Sequence, residues 1–194
     1  LKKYLKYLNI DVNKLGYIPD DSMMRSNYNQ GMYMQNIVLF MYTPLGAVVQ
    51  CYKLKKIDKE DARTMIEILL QHKDIDPTKE NIDIDGDRTD PLSDLIMNNC
   101  NDLIDYNDLI DPFLEYFKDK KFDINTPNSK VRFYLYIAVD SNNIIAVKKI
   151  LNKFPNVDLT LKDADGKALI DRSKELRDPA IYNIFLEHVN KFGE

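Results

Sequence analysis

A helix is predicted to begin within Thr43-Pro44-Leu45-Gly46-Ala47-Val48. Proline is favoured in the first turn of a helix because its missing N–H would have no partner there. A threonine before it can accept a hydrogen bond from a free backbone N–H of that turn. The same arrangement returns as Asp90-Pro91-Leu92-Ser93-Asp94-Leu95, with aspartate in place of threonine. These two motifs therefore predict two helix starts of one kind.

Two further stretches have weaker forms of the motif. Phe133-Tyr134-Leu135-Tyr136-Ile137-Ala138 keeps the leucine and the alanine, and Gly166-Lys167-Ala168-Leu169-Ile170-Asp171-Arg172-Ser173 carries an apolar pair at the same place. We expect the first apolar residue of each predicted helix to point into the core. These residues are Leu45, Leu92, Leu135 and Ile170.

A second phrase also recurs, an apolar helical run that ends in Asp, an apolar residue or proline, and Asn or Thr. Its four copies span residues 4–13, 68–78, 113–125 and 147–160. Within them, Leu69-Leu70 and Ile150-Leu151 are expected to seal a second helix against its neighbours.

The spacing of the two phrases is regular. Asn125 lies eight residues before Phe133, and Thr160 lies eight before Ala168. Two other intervals are longer, with 12 residues from Thr78 to Asp90 and 30 from Asn13 to Thr43. A span of 33 residues, from Thr43 to Asp76, is repeated from Asp90 to Asp123. This shared excess predicts a lengthened loop between the two helices of each of these units.

Together the phrases resemble the ankyrin repeat, whose first helix has the signature Thr-Pro-Leu-His-x-Ala and whose second helix ends in LLxxGADVN. Residues 166–173 are similar to the end-repeat version, GKTALDLA. The resemblance implies an all-α fold, an ankyrin-repeat solenoid of stacked helix-turn-helix units with short or degenerate β-hairpin loops. In such an array each unit buries its apolar face on its neighbours.

The resemblance implies a single array over residues 1–194. Because the chain begins at Leu1 in mid-pattern, we expect it to be a piece of a longer protein. Lys73 and Phe154 replace the glycine that usually closes the second helix, so irregular turns are expected, with Asn and Asp in some strained positions. The predicted units are a second helix of a truncated repeat (1–16), an enlarged finger insertion (17–42), repeats at 43–79, 80–127 and 128–162, and a C-terminal repeat (163–194).

The insertion is rich in methionine and tyrosine between residues 17 and 35. One interpretation is a loose segment, or one that folds down to cap the end of the array. The other is a binding loop, since Met and Tyr supply adaptable contact area. Tyr28 and Tyr33 are its candidate partner-binding residues.

The resemblance further implies a concave groove formed by the hairpin tips and the outer side of the first helices. A mixed charged and small-residue groove favours a folded partner or a polar peptide, although it can equally be a solvated face or be covered by flanking repeats. Its candidate partner-binding residues are Ser129, Lys130, Arg132, Asp140, Ser141, Ala164, Asp165, Lys167 and Glu175.

We therefore predict a monomeric protein-interaction scaffold or adaptor that is not an enzyme and binds a protein of unknown identity. One alternative is the substrate-recruiting or regulatory region of a larger enzyme or effector. Another is an all-α domain without ankyrin repeats, which predicts no hairpins near residues 126–132 and 161–167. The composition, rich in Asn, Ile, Lys, Asp and Tyr, and the loose repeats resemble ankyrin proteins of large viruses or intracellular bacteria. This resemblance implies a location in the cytoplasm, and in the cytoplasm of the host cell if the chain is an effector.

Other classes are disfavoured by composition. The net charge of −4 argues against nucleic-acid binding, and the apolar run at residues 37–42 is too short to cross a membrane. The acidic residues 83–87 do not fit a calcium loop, because Arg88 stands where its glycine belongs and Asp94 where its glutamate does. His72 and His188 lack ligand partners at metal-binding spacing. No triad or glycine-rich phosphate loop is present, so we expect no cofactor and no metal.

Overall fold

The computed structural model describes residues 16–17, 41–82, 87–98, 106–128, 132–162 and 165–192, with only the backbone given for residues 16, 17 and 41. This part of the chain is mostly helical, as predicted. No helix within it is long and apolar enough to cross a membrane. Its eight helices are α1 (Pro44–Lys53), α2 (Lys59–Leu70), α3 (Pro91–Met97), α4 (Asn107–Asp119), α5 (Tyr134–Asp140), α6 (Ile144–Lys153), α7 (Leu169–Lys174) and α8 (Ala180–Phe192).

Four helices begin at the predicted positions. The N-cap residues of α1, α3, α5 and α7 are Thr43, Asp90, Phe133 and Ala168, all with extended backbone. The Thr43 hydroxyl accepts a hydrogen bond from the N–H of Gly46 at 3.1 Å, and the Asp90 carboxylate accepts one from the N–H of Ser93 at 2.9 Å. Phe133 and Ala168 make no side-chain cap, in keeping with their weaker motifs.

The helices pack in two series that lie side by side. In one, α1 contacts α3, α3 contacts α5 and α5 contacts α7; in the other, α2 contacts α4, α4 contacts α6 and α6 contacts α8. Each helix of the first series also contacts the helix that follows it in the chain. The core therefore lies between the two series and runs along their length.

The predicted core leucines are buried. Leu45, Leu92 and Leu135 are at most 2 % exposed, and Leu69-Leu70 and Ile150-Leu151 are buried as well. The expectation for Ile170 was wrong, since Ile170 is only half-buried while Leu169 is fully buried. Neighbouring residues of a helix point in directions about 100° apart, so with Leu169 turned fully inward Ile170 lies at the margin of the core.

The 33-residue spans are lengthened in different ways. Between α3 and α4 the connection covers residues 98–106, against only 141–143 between α5 and α6. The connection between α1 and α2 is shorter, residues 54–58, and there the extra length lies mainly in the helices, which have 10 and 12 residues against 7 and 10 in α5 and α6. Residues 99–105 of the second span lie outside the described residues, and in the first span the predicted long loop is found only slightly.

Short strands precede the first helix pair and lie between the first and second pairs. They are β1 (Gly16–Tyr17), β2 (Met41–Tyr42), β3 (Asn81–Ile82) and β4 (Arg88–Thr89), paired antiparallel in the order β1-β2-β3-β4. The ends of the methionine- and tyrosine-rich insertion are held together, with Gly16 opposite Tyr42 and Tyr17 opposite Met41. Two later turns are closed by main-chain contacts, Asn128 N–H to Arg132 C=O at 2.8 Å and a bridge between Lys162 and Ala168.

The outgoing segments of three helix pairs share one turn. The aspartates Asp76, Asp123 and Asp158 each accept a hydrogen bond from the N–H two residues on, at 2.8–3.0 Å. This is the Asx turn, which Asp forms readily with its own backbone. The residue between donor and acceptor is buried in every case, and these residues are Pro77, Ile124 and Leu159.

Left-handed backbone occurs at three non-glycine positions of the described chain, Lys55, Lys121 and Asn142. Each follows the C-cap of a helix, of α1, α4 and α5, which is the usual place for glycine. The asparagine lies between α5 and α6 and not in the turns near Lys73, Phe154 or Phe133 where strained Asn or Asp residues were expected, and sequence reasoning missed the two lysines. Lys73 and Phe154 do not have positive φ.

Candidate functional site

The sequence-predicted partner-binding residues of the groove and of the insertion fall into two sets. Ser129, Lys130, Ala164, Tyr28 and Tyr33 lie outside the described residues. The others belong to the first helix series and the turns that precede its members, and they are Arg132, Asp140, Ser141, Asp165, Lys167 and Glu175.

A network of alternating charge joins three of these residues. Lys167 Nζ donates to both carboxylate oxygens of Glu175 at 2.6 Å. Glu175 also lies 3.7 Å from the guanidinium of Arg172, whose Nε donates to Asp140 at 2.8 Å. The Asp140 carboxylate raises the pKa of Arg172, chiefly through this hydrogen bond. Helices α5 and α7 are thereby connected on their exposed side, and Arg172 is a member that sequence reasoning missed because it lies 32 residues from its partner.

Arg132 and Ser141 lie at either end of α5. The N–H of Arg132 donates to the side-chain oxygen of Asn128 at 3.0 Å, which closes the turn before the helix. Its Nε is buried and has no hydrogen-bond partner in the described part of the chain. Ser141 is the C-cap of α5, and its N–H bonds to the carbonyl of Ile137. The cation of Arg132 therefore lies before α5, and the hydroxyl of Ser141 lies after it.

Asn81 of β3 connects this strand to Thr43 at the start of α1. Its buried side-chain oxygen accepts from both the N–H and the hydroxyl of Thr43, at 3.0 and 3.1 Å. It lies directly over Gly46, where an added Cβ would come within 2.0 Å of the same oxygen. Thr43 therefore both caps α1 and donates to the next unit, and Gly46 leaves the space for the contact.

Asp90 is the N-cap of α3, as Thr43 is of α1. Whereas the Thr43 hydroxyl donates a hydrogen bond to the following unit, the Asp90 carboxylate accepts one from it. Its carboxylate accepts from the Ser93 hydroxyl at 2.6 Å, from the Ser93 N–H, and from the Tyr134 hydroxyl on α5. Asp90 is 1 % exposed, and burial raises its pKa above the usual value of an aspartate, against the lowering effect of these bonds. Burial, with the nearby Asp90 carboxylate, also raises the pKa of Tyr134. Tyr134 therefore acts here as a hydrogen-bond donor between the units.

The described histidines and Cys51 lie in separate parts of the fold. His72 Nδ1 accepts from the N–H of Asp74 at 3.3 Å, and His188 Nε2 donates to the carbonyl of Pro155 at 3.0 Å. Cys51 is half-buried in α1, and Cys100 lies outside the described residues. Among the residues that the structure describes, no three His, Cys, Asp or Glu side chains are grouped so as to hold a metal ion.

The chain matches no protein-family model, and none of the curated proteins compared with it has a significantly similar sequence.

Proposed function

We propose that the chain is an ankyrin-repeat scaffold or adaptor without catalytic activity, which binds a partner protein through the groove of its first helices and hairpin turns. The observation that carries the proposal is the order of helix packing, in which α1, α3, α5 and α7 contact one another in sequence, and α2, α4, α6 and α8 do the same. Helix pairs stacked in one direction have this pattern of contacts.

Two repeated local features support the same proposal. The four N-caps lie at the positions where the ankyrin motif begins its first helix. The three Asx turns lie where the motif ends its second helix. Main-chain contacts also close the turns near residues 128–132 and 162–168, where a non-ankyrin all-α domain predicts no hairpins.

The charge network gives the proposed groove a defined surface. Asp140, Arg172, Glu175 and Lys167 alternate in sign, so a partner with the complementary pattern would be favoured over others. Such complementarity increases specificity and association rate more than raw affinity. Because the network is satisfied within the chain, its side chains are held in place before a partner arrives.

Charge-swap variants test the groove. In Lys167→Glu/Glu175→Lys and in Asp140→Arg/Arg172→Asp, the swapped ion pair and the net charge are kept while the surface pattern is reversed. Only the longer, exposed contact of 3.7 Å between positions 172 and 175 is lost, which is worth little to stability. A matched control is Lys149→Asp/Asp111→Lys, which swaps the 2.6 Å pair between α4 and α6 in the other helix series. Partners are captured with the tagged chain from extracts of candidate host cells, and the Kd of each purified partner is measured by titration calorimetry.

We expect the groove swaps to raise the Kd at least tenfold and the control swap to leave it unchanged. All three variants should keep the circular dichroism spectrum and the melting temperature of the parent. If the control swap abolishes the binding of a partner and the groove swaps do not, that partner binds the second helix series. If no captured protein binds the purified chain directly, a scaffold function is contradicted.

A further inference from the structure

A cleft of about 550 Å³ opens between the β3–β4 hairpin and the turn that precedes α5. Its volume lies in the range of sites that accommodate several side chains of a ligand. It is flanked by Ile82 and Arg88 of strands β3 and β4 and by residues 126–128, on the side of the molecule where α3 and α5 begin. The lining residues are Thr78, Lys79, Glu80, Ile82, Arg88, Phe122, Thr126, Pro127, Asn128 and Tyr134.

The floor of the cleft is aromatic and well supported. Phe122 stacks on the fully buried Phe117 with ring centroids 4.4 Å apart, and Tyr134 lies 5.6 Å from the same ring. The hydroxyl of Tyr134 is held by Asp90 behind it. Phe122 itself is only half-buried. An apolar side chain placed here would contact rings that are already fixed by packing, at little cost in ordering.

The exposed charges of the cleft favour an anion. Lys79 and Arg88 are exposed, and neither makes an ion pair within the described part of the chain. Among the lining residues that the structure describes, Glu80 is the one acid, and it already has a partner of its own. The described lining thus offers two cations against one engaged carboxylate, in a chain whose net charge is −4.

The edge of a sheet borders the cleft. Among the described residues, β4 pairs with β3 on one side and is the last strand of the sheet. Arg88 of β4 lines the cleft, and residues 126–128 lie on its other side. An extended peptide can add to such an edge through main-chain hydrogen bonds, while alternate side chains supply specificity.

We propose that this cleft takes an extended acidic peptide segment of the partner, which adds to the edge of β4. Its carboxylates pair with Lys79 and Arg88, and an apolar side chain lies on Phe122 and Tyr134. The inference rests on the proposed function and specifies which part of a partner is recognised. Chemistry at this site is confined to binding, and no covalent step is involved.

Random-peptide phage display on the full 194-residue chain is the first experiment. The selected peptides are then synthesised with a fluorescent label, and their Kd values are measured by anisotropy, each beside a copy with Gln and Asn in place of Glu and Asp. The cleft variants are Lys79→Glu/Arg88→Glu and Thr126→Trp, which fills the cleft from an exposed position. The control is Lys118→Glu/Lys148→Glu, which makes the same change in net charge at exposed positions of α4 and α6.

We expect the phage-display selection to yield acidic peptides with an aromatic or aliphatic residue between the acidic residues. Their Kd should rise at least tenfold in both cleft variants and in the amide copies, and change less than twofold in the control. Selection of peptides without acidic bias, or preferential binding of single-stranded RNA, would overturn the inference. So would equal binding by the cleft variants. If a protein partner still depends on the groove swaps while acidic peptides fail to bind, the proposed function stands and this inference alone is lost.

Discussion

At the scale of single residues, Gly46 determines how closely the first two units approach. The side chain of Asn81 occupies the space where a Cβ would be, with its oxygen, carbon and nitrogen all within 2.4 Å. Alanine at this position would displace Asn81 and break its two hydrogen bonds to Thr43. Glycine is therefore required here for space, although alanine is the better helix former.

We expect Gly46→Ala to lower the free energy of unfolding by roughly 2–4 kcal/mol, from overpacking and a buried amide left without partners. Chemical denaturation measures the change. The matched test is the same substitution in an Asn81→Ala background, where the clash is gone and the cost should fall below about 1 kcal/mol. Equal costs in the two backgrounds would show that Asn81 is not the obstacle.

Lys121 has a left-handed backbone, φ 55°, after the end of α4. That conformation costs a non-glycine residue about 1–2 kcal/mol, partly offset in a glycine variant by the greater freedom of its unfolded chain. Lys121→Gly should therefore raise the free energy of unfolding by about 0.5–1 kcal/mol. Lys120→Gly, one residue earlier at φ −83°, should lower it. Urea titrations that give both variants the same sign would contradict this account.

Asp90 predicts a pH dependence of stability. Its folded pKa is raised by burial above 3.8, so in the window that begins at pH 3.8 and ends at the folded pKa the native state binds more protons than the unfolded state. Its contribution to stability therefore falls as the pH rises through that window. Asp90→Asn keeps an acceptor for Ser93 but does not titrate there.

The measurement is the free energy of unfolding of the parent chain minus that of Asp90→Asn, from urea titrations between pH 3.5 and pH 7. The difference should decrease with rising pH, whereas groups common to both chains cancel. Asp108, whose hydrogen bond to Lys59 lowers its pKa, acts in the opposite direction and is one of the cancelling groups. A difference that increases with pH would mean that the hydrogen bonds of Asp90 outweigh its burial.

At the scale of elements, the helix starts could be predicted from the sequence because capping and a first-turn proline are local signals. Thr43 and Asp90 were found in this way, and the interval of eight residues located Phe133 and Ala168 without a cap. The contacts between units were not predictable. Asn81 and Arg172 meet their partners 38 and 32 residues away, and no periodicity of the chain marks them.

The inner side of α7 is the element that the alignment of motifs misjudged. By the spacing, Ile170 corresponds to Leu135, yet Leu169 is the buried residue. Leu135→Ala should cost roughly 2–5 kcal/mol of unfolding free energy, as for a fully buried leucine. Ile170→Ala should cost less than half as much, since part of its side chain already contacts water. Thermal denaturation of both variants measures the two losses of unfolding free energy. Equal losses would mean that Ile170 belongs to the core, as the alignment of motifs predicts.

At the scale of the whole molecule, the two helix series make stability a sum of neighbouring interfaces. Helices α5 and α6 have described neighbours on both sides, whereas α7 and α8 contact only the pair before them. The amount of buried surface follows this order. In α6 four of ten residues are buried, and in α8 only Ile181 and Phe185 of 13. Leu186, Val189 and Phe192 of α8 remain exposed.

We therefore predict that the last helix pair opens before the rest of the array. Native-state hydrogen exchange should give the mid-helix amide of Phe185 in α8 an opening free energy lower than that of Ile150 in α6 by roughly 2 kcal/mol, about one buried side chain. The two residues are a matched pair, because both side chains are fully buried and both amides lie inside a helix. Exchange of the two amides with one common opening free energy would instead mean that all the units unfold together, and that their interfaces are strong compared with the stability of each helix pair.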